Sequence, residues 1–119
     1  MYEISKRFTF SASHVLEGLP EGHQCGRLHG HNYIFEVVLA SETLNEHGFV
    51  QDYGDLRFIK EYVDAVLDHR HLNDVLEFQP TAECMARHML NWVRQHTPYV
   101  VAFRVSETPN TWAEYRINK

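Results

Sequence analysis

Apolar and polar residues alternate from Tyr2 to His14: Tyr2, Ile4, Phe8, Phe10 and Ala12 share one parity, and Glu3, Ser5, Arg7, Thr9 and Ser11 the other. A period of two puts successive side chains on opposite faces of an extended chain, so this stretch predicts a long, half-buried strand. Gly18, Pro20, Gly22 and Gly26 punctuate Leu16 to Arg27, which reads as a loop. Alternation resumes from about Leu28 to Ala40 through Tyr33, Phe35, Val37 and Leu39, a second strand. Asn45 to Gly48 signals a turn, and Phe49 to Asp52 a short extended lead-in.

The period then changes. Leu56, Ile59, Val63, Val66 and Leu67 recur at helical spacing, predicting a helix from about Asp55, its N-cap, to Leu67. His69 to Pro80 is an irregular connection. Thr81 can cap a second helix through about Gln95, with Met85, Met89, Trp92 and Val93 as its buried stripe, Cys84 in the core, and Pro98 as its stop. Tyr99, Val101, Phe103, Val105 and Glu107 alternate as a third strand. Thr108 to Asn110 turn around Pro109, and Thr111 to Ile117 return as a fourth. The order β-β-α-α-β-β implies a four-stranded antiparallel sheet with both helices on one face, an α+β fold. No repeat, linker or low-complexity stretch divides residues 1–119, which are expected to form one domain.

Composition alters this picture in three places. No apolar run approaches the roughly 18 residues of a membrane span, and the first residues lack a signal-peptide pattern, so a cytoplasmic protein is expected. The formal charge of −5 counts against nucleic acid as a main partner, while leaving room for a small anionic substrate held by local cations. Cys25 and Cys84 are the two cysteines and read as free thiols. Nine histidines are the anomaly, and they make metal or proton chemistry the first thing to look for.

Three stretches carry that chemistry: His14 closing the first strand, Cys25-Gly26-Arg27-Leu28-His29-Gly30-His31 opening the second, and Asp68-His69-Arg70-His71 after the first helix. On a strand, His29 and His31 project from one face about 6.6 Å apart. His14 has the parity of Phe8 and Phe10, and the pair has the parity of Tyr33 and Phe35. An antiparallel hairpin therefore gathers all three at one rim of the sheet. Three neutral imidazoles with an open coordination position make a pattern suited to catalytic zinc. Cys25 has three readings: a fourth ligand closing a structural site, a reactive thiol, or an inert small residue. Asp68 and His69 supply a carboxylate and a base that titrates near neutrality, as a proton relay requires, although such pairs also occur in plain turns. Glu107 ends an apolar row, where a carboxylate either meets solvent or accepts two hydrogen bonds from an N–H/NH2 edge.

Taken in order, Phe8-Thr-Phe-Ser-Ala-Ser-His14, Cys25-Gly-Arg-Leu-His-Gly-His31, Leu67-Asp-His-Arg-His-Leu-Asn-Asp74, Pro80-Thr-Ala-Glu83 and Ser106-Glu-Thr108 resemble the 6-pyruvoyl-tetrahydropterin synthase superfamily. The spacing from Cys25 to His29 resembles the bacterial 6-carboxy-5,6,7,8-tetrahydropterin synthase branch of queuosine biosynthesis. The resemblance implies a tunnelling fold (T-fold) with Zn2+ held by His14, His29 and His31. It implies Cys25 as the catalytic proton acceptor, Asp68 with His69 as the relay that activates it, and Glu107 as the anchor of the pterin edge. Of the two neighbouring histidines it selects His69, since His71 stands where the family varies. The implied reaction is lyase chemistry on 7,8-dihydroneopterin triphosphate, releasing 6-carboxytetrahydropterin, acetaldehyde and triphosphate. It further implies a homo-oligomer, usually a hexamer built as a dimer of trimers, with sites between subunits. Arg27, Lys6, Arg7 and His23 are candidate triphosphate contacts. The competing readings are a sister enzyme making 6-pyruvoyl-tetrahydropterin and a non-catalytic module whose zinc is closed by Cys25.

Overall fold

The computed structural model describes residues 1–117. Strand β1 runs Tyr2–His14 and β2 runs His29–Ser41, and they pair antiparallel along their full length. A helical stretch follows: a 3-10 turn at Tyr53–Leu56, helix α1 at Arg57–Tyr62, and a wide π turn at Val63–Leu67. Next come a two-residue strand β3 (Arg70–His71), the single-turn α2 (Leu72–Val75), helix α3 (Ala82–Val93), and strands β4 (Val100–Thr108) and β5 (Thr111–Arg116).

The sheet has five strands in the order β3-β1-β2-β4-β5, one more than the alternation predicts. The extra strand is two residues long, too short to show a period, and it lies parallel to β1 beside Ala12 and Ser13. Only chain packing creates it. The helices cover one face, closing a core of Phe8, Phe10, Tyr33, Phe35 and Phe103 from the sheet against Leu56, Ile59, Val63, Met85, Met89 and Leu90. Among the described residues, no helix is long and apolar enough to cross a membrane.

Four local expectations need correction. Asp52, not Asp55, caps the first helical stretch, its carboxylate accepting from the Gly54 N–H at 2.8 Å. In α3 the buried positions are Met85, Ala86, Met89, Leu90 and Val93. Trp92 is only partly buried and packs beside Phe58 and Tyr62 at the edge of the core instead. Cys84 is exposed, because it lies on the helix face turned from the sheet. On β4, a bulge opposite Val38 and Leu39 inserts a residue and slips the alternation. Val100 therefore joins the core in place of Val101.

Candidate metal and active site

The β1–β2 register matches Ala12 to His31, Ser13 to Gly30 and His14 to His29. His14 and His29 thus stand directly opposite each other, and His31 follows two residues on, on the same face. The three ring planes are close to mutually perpendicular, at 72°, 86° and 88°, with centroids 4.4, 4.6 and 5.2 Å apart. One ligand nitrogen from each ring lies within 4.8 Å of the others.

Hydrogen bonds behind two of the rings select the nitrogen that faces inward. His14 Nδ1 donates to the Pro80 carbonyl at 2.8 Å, and His29 Nδ1 to the Arg27 carbonyl at 2.5 Å. A carbonyl only accepts, so both protons sit on Nδ1 and both Nε2 atoms keep lone pairs. Those Nε2 atoms face each other at 2.7 Å. His31 Nε2 is buried with no hydrogen-bond partner, and Glu107 Oε2 stands 3.7 Å from it, beyond hydrogen-bond reach. Opposed lone pairs and an orphaned nitrogen are unfavourable away from water. A single cation among them satisfies all three, and an imidazole set of this kind suits zinc, copper, iron or nickel.

Burial is also the main reason that His14 and His31 hold protons less readily than a free imidazole. The Glu107 charge opposes it at both rings, and the Pro80 bond opposes it at His14. Neutral rings are the metal-binding form. The Tyr33 hydroxyl lies 3.1 Å from His14 Nδ1. Burial, then the Glu107 charge, pushes its phenol above the ordinary value, so it stays protonated. Tyr33 carries the right parity in the sequence, but nothing there marks its hydroxyl as a support, and the Pro80 carbonyl leaves no sequence signal at all.

Glu107 lies on the other side of the trio, where it lines a pocket of about 190 Å³ together with Glu83, Thr111 and Trp112. A carboxylate beside an aromatic wall there can meet the donor edge of a flat heterocycle.

Asp68 and His69 are held by β1. The π turn closes with the Asp68 N–H on the Val63 carbonyl at 2.8 Å and delivers Asp68 to the strand's open edge. Asp68 Oδ1 accepts from Ser11 N–H at 3.0 Å, and His69 N–H donates to the Ser11 carbonyl at 2.6 Å. Between these two bonds His69 takes a left-handed backbone, φ 59°, a conformation unfavourable by about 1–3 kcal/mol that the clamp sustains. Its Nδ1 is 3.0 Å from Asp68 Oδ2, and its ring is largely exposed. The Ser11 bond is the main cause of a lowered Asp68 carboxyl pKa, with His69 adding to it against the opposing effect of burial. His69 borders a cleft lined by Ser11, Ser13 and Asn32, residues of outward parity, and also by His31 of the histidine trio.

Cys25 lies in a 3-10 turn, Gln24–Gly26, and is half-buried. The His23 Nδ1 atom accepts from the Cys25 N–H at 3.1 Å, and the Cys25 carbonyl accepts from Leu16 N–H at 3.1 Å. Its sulfur is outside the group of metal-capable atoms. One chain therefore brings His14, His29, His31 and Glu107 together, pairs Asp68 with His69 beside a cleft that His31 also lines, and carries Cys25 on the loop between β1 and β2.

The profile of a protein family described as 6-pyruvoyl tetrahydropterin synthase matches residues 3–118. The Bacillus subtilis 6-carboxy-5,6,7,8-tetrahydropterin synthase is 30% identical over 131 residues, covering 99% of this chain and 87% of that protein. An Archaeoglobus fulgidus protein provisionally given the same name is 35% identical over 108 residues, 91% of this chain and 90% of its own. Among solved structures, Caenorhabditis elegans 6-pyruvoyl tetrahydropterin synthase superposes with a TM-score of 0.85 at 26% identity, covering 98% of this chain and 96% of that one. An uncharacterised Wolinella succinogenes protein reaches 0.89 at 22% identity, with 98% of each chain covered, a likeness of fold.

Proposed function

The chain belongs to the 6-pyruvoyl tetrahydropterin synthase family, and we propose that it is a zinc-dependent lyase converting 7,8-dihydroneopterin triphosphate and water to 6-carboxy-5,6,7,8-tetrahydropterin, acetaldehyde and triphosphate. The reading places it in the cytoplasm, in queuosine (7-deazapurine) biosynthesis. The names of the similar bacterial and archaeal proteins support the product. The observation that carries the reading is the convergence of three imidazoles whose inward nitrogens have no other partner.

In this reading His14, His29 and His31 hold Zn2+. Bound zinc supplies Lewis acidity toward the hydroxyls of the substrate side chain. Glu107 accepts hydrogen bonds from the pterin's amino-pyrimidine edge and so sets the distance of the side chain from the metal ligands. Cys25, as thiolate, takes a proton from a side-chain carbon, and His69, oriented by Asp68, returns one. Because the substrate supplies both the electrons and the leaving group, no external redox cofactor enters.

Cys25 and His69 act on one substrate in this reading, yet each chain carries them on separate elements. Assembly resolves this. Among the described residues, the outer edge of β1 is paired only at Ala12 and Ser13, and β5 ends the sheet on the opposite side. Two open edges invite strand pairing between copies, and a homo-oligomer joined in this way, a dimer of trimers in the reading proposed, lets one copy's relay reach another's metal.

Metal analysis combined with product identification tests the proposal. Stoichiometric zinc with acetaldehyde and a 6-carboxypterin supports it, and zinc-free turnover overturns it. The likeness to the C. elegans enzyme favours one second reading, a pyruvoyl product. Turnover that releases triphosphate without acetaldehyde would select that reading. Cys25→Ala is expected to keep the metal and to lose turnover by roughly 10²–10⁴-fold, the usual contribution of a positioned acid or base. Loss of zinc in that variant points instead to a closed structural site.

A further inference from the structure

A cleft of about 470 Å³ opens where β3 joins β1 and β2, bordered by Ser11, Ser13, His31, His69, Arg70 and His71, with Asn32 beside them. We propose that this cleft is an anion site that takes the triphosphate tail of the substrate, with Arg70 and His71 as its specificity-determining residues. The proposal rests on the functional reading above, since it uses the role of His69 to place the tail.

The first argument is charge. The chain carries a net −5, yet the lining residues include no carboxylate, and neighbouring Asp68 is engaged by the Ser11 N–H and His69 Nδ1. Its wall is a guanidinium flanked by two imidazoles. Among the described residues, Arg7, Arg57, Arg104 and Arg116 each lie within ion-pair distance of a carboxylate, and Arg70 does not. An unpaired guanidinium beside a carboxylate that is already engaged favours anions, and phosphate oxygens match its fork of donors.

The second argument is donor direction. The Ser11 hydroxyl donates to Asn32 Oδ1 at 2.7 Å, which leaves the amide NH2 as the group on offer. Ser13 Oγ is 3.0 Å from His71 Nδ1. Donation from the serine leaves the ring proton on Nε2, again a donor. The Asn32 amide NH2 and the His71 Nε2–H therefore remain as donors for phosphate oxygens beside the Arg70 guanidinium.

The third argument is reach. His69 borders the same cleft and, as the relay, must come within hydrogen-bond distance of the substrate's three-carbon side chain. The triphosphate hangs from the last of those carbons. Groups one and two residues beyond His69, fixed to β1 through the Ala12–Arg70 and Ser13–His71 pairing, are the side-chain donors nearest to it along the chain.

The test is calorimetric titration of the zinc-loaded protein with inorganic tripolyphosphate, alongside steady-state kinetics. Arg70→Gln and His71→Asn should each weaken tripolyphosphate binding about tenfold or more, the effect of losing a charge-assisted hydrogen bond. KM for dihydroneopterin triphosphate should rise in parallel, with kcat, zinc content and affinity for unphosphorylated dihydroneopterin unchanged. Arg70 is exposed and His71 half-exposed, so folding should survive, and unchanged melting temperatures will establish it. Failure of the wild type to bind tripolyphosphate at millimolar concentration, or equal binding by both variants, overturns the site. Arg70-dependent tripolyphosphate binding in a protein that makes no pterin product would support the anion site and overturn the proposed reaction.

Discussion

Replacing His31 with leucine should have opposite effects on stability with and without metal. In the metal-free protein, the buried and unpartnered Nε2 of His31 carries a desolvation penalty of about 1–3 kcal/mol. Leucine fills similar space and has no polar atom, so the metal-free variant should be at least as stable as metal-free wild type, by up to about 2 kcal/mol after imperfect packing is allowed for. With zinc the sign reverses. At free zinc a hundred times above Kd, wild type gains about 2.7 kcal/mol by mass action, and a variant with two ligands gains almost none. The assay is urea unfolding at pH 8, in chelator and in excess zinc, for wild type, His31→Leu and Cys25→Ala. Cys25→Ala should keep the full zinc increment. If His31→Leu is equally destabilising under both conditions, His31 is an ordinary packed residue and the metal argument fails.

His23→Leu removes the acceptor that holds the Cys25 N–H and should lower kcat with little change in zinc content, whereas His23→Asn, which keeps a capping oxygen, should recover most of it; equal kcat in both excludes a positioning role. Asp68→Asn keeps an oxygen for Ser11 N–H but loses the charge beside His69. It should reduce turnover and shift the pH–rate profile while leaving the melting temperature nearly unchanged, and an unaltered profile would remove the relay. Burial alone would raise the Glu36 carboxyl, but hydrogen bonds from Arg7 and Arg104, each at 2.8 Å, outweigh it and hold the pKa below its ordinary value. A depressed folded-state value contributes stability above the unfolded pKa that disappears as pH falls through the folded one. Glu36→Gln should therefore cost about 1–3 kcal/mol at neutral pH and progressively less in acid, measured by denaturation across pH; a constant difference would show that the ion pairs contribute nothing.

Periodicity was a sufficient guide wherever one face of an element is buried along its whole length. β1 begins and ends where its alternation does, and Thr81 caps α3 through the Cys84 N–H as its residue type implies. The reading failed where geometry departs from a regular period. The bulge near Val101, the π turn before Asp68 and the two-residue β3 each insert or widen a local unit, and a pattern of two or 3.6 cannot register them. The site divides in the same way. The histidine trio was legible because parity and an antiparallel hairpin place it without reference to the rest of the chain. The Asp68–His69 pair was legible as chemistry, but the Ser11 backbone clamp that holds it was not.

Residue order alone determined which groups this protein has to work with and which strand face each would occupy, because a strand's side-chain direction follows from counting by twos. Tertiary structure decided what those groups meet. The Pro80 and Arg27 carbonyls assign the imidazole protons, the Ser11 backbone bends His69 into a left-handed turn, and a cleft walled by Arg70 and His71 forms where β3 docks on β1. These are contacts between segments up to 66 residues apart. Local pattern is blind to them, since backbone carbonyls and N–H groups are the same at every position, and only the packed chain chooses which of them a side chain will find.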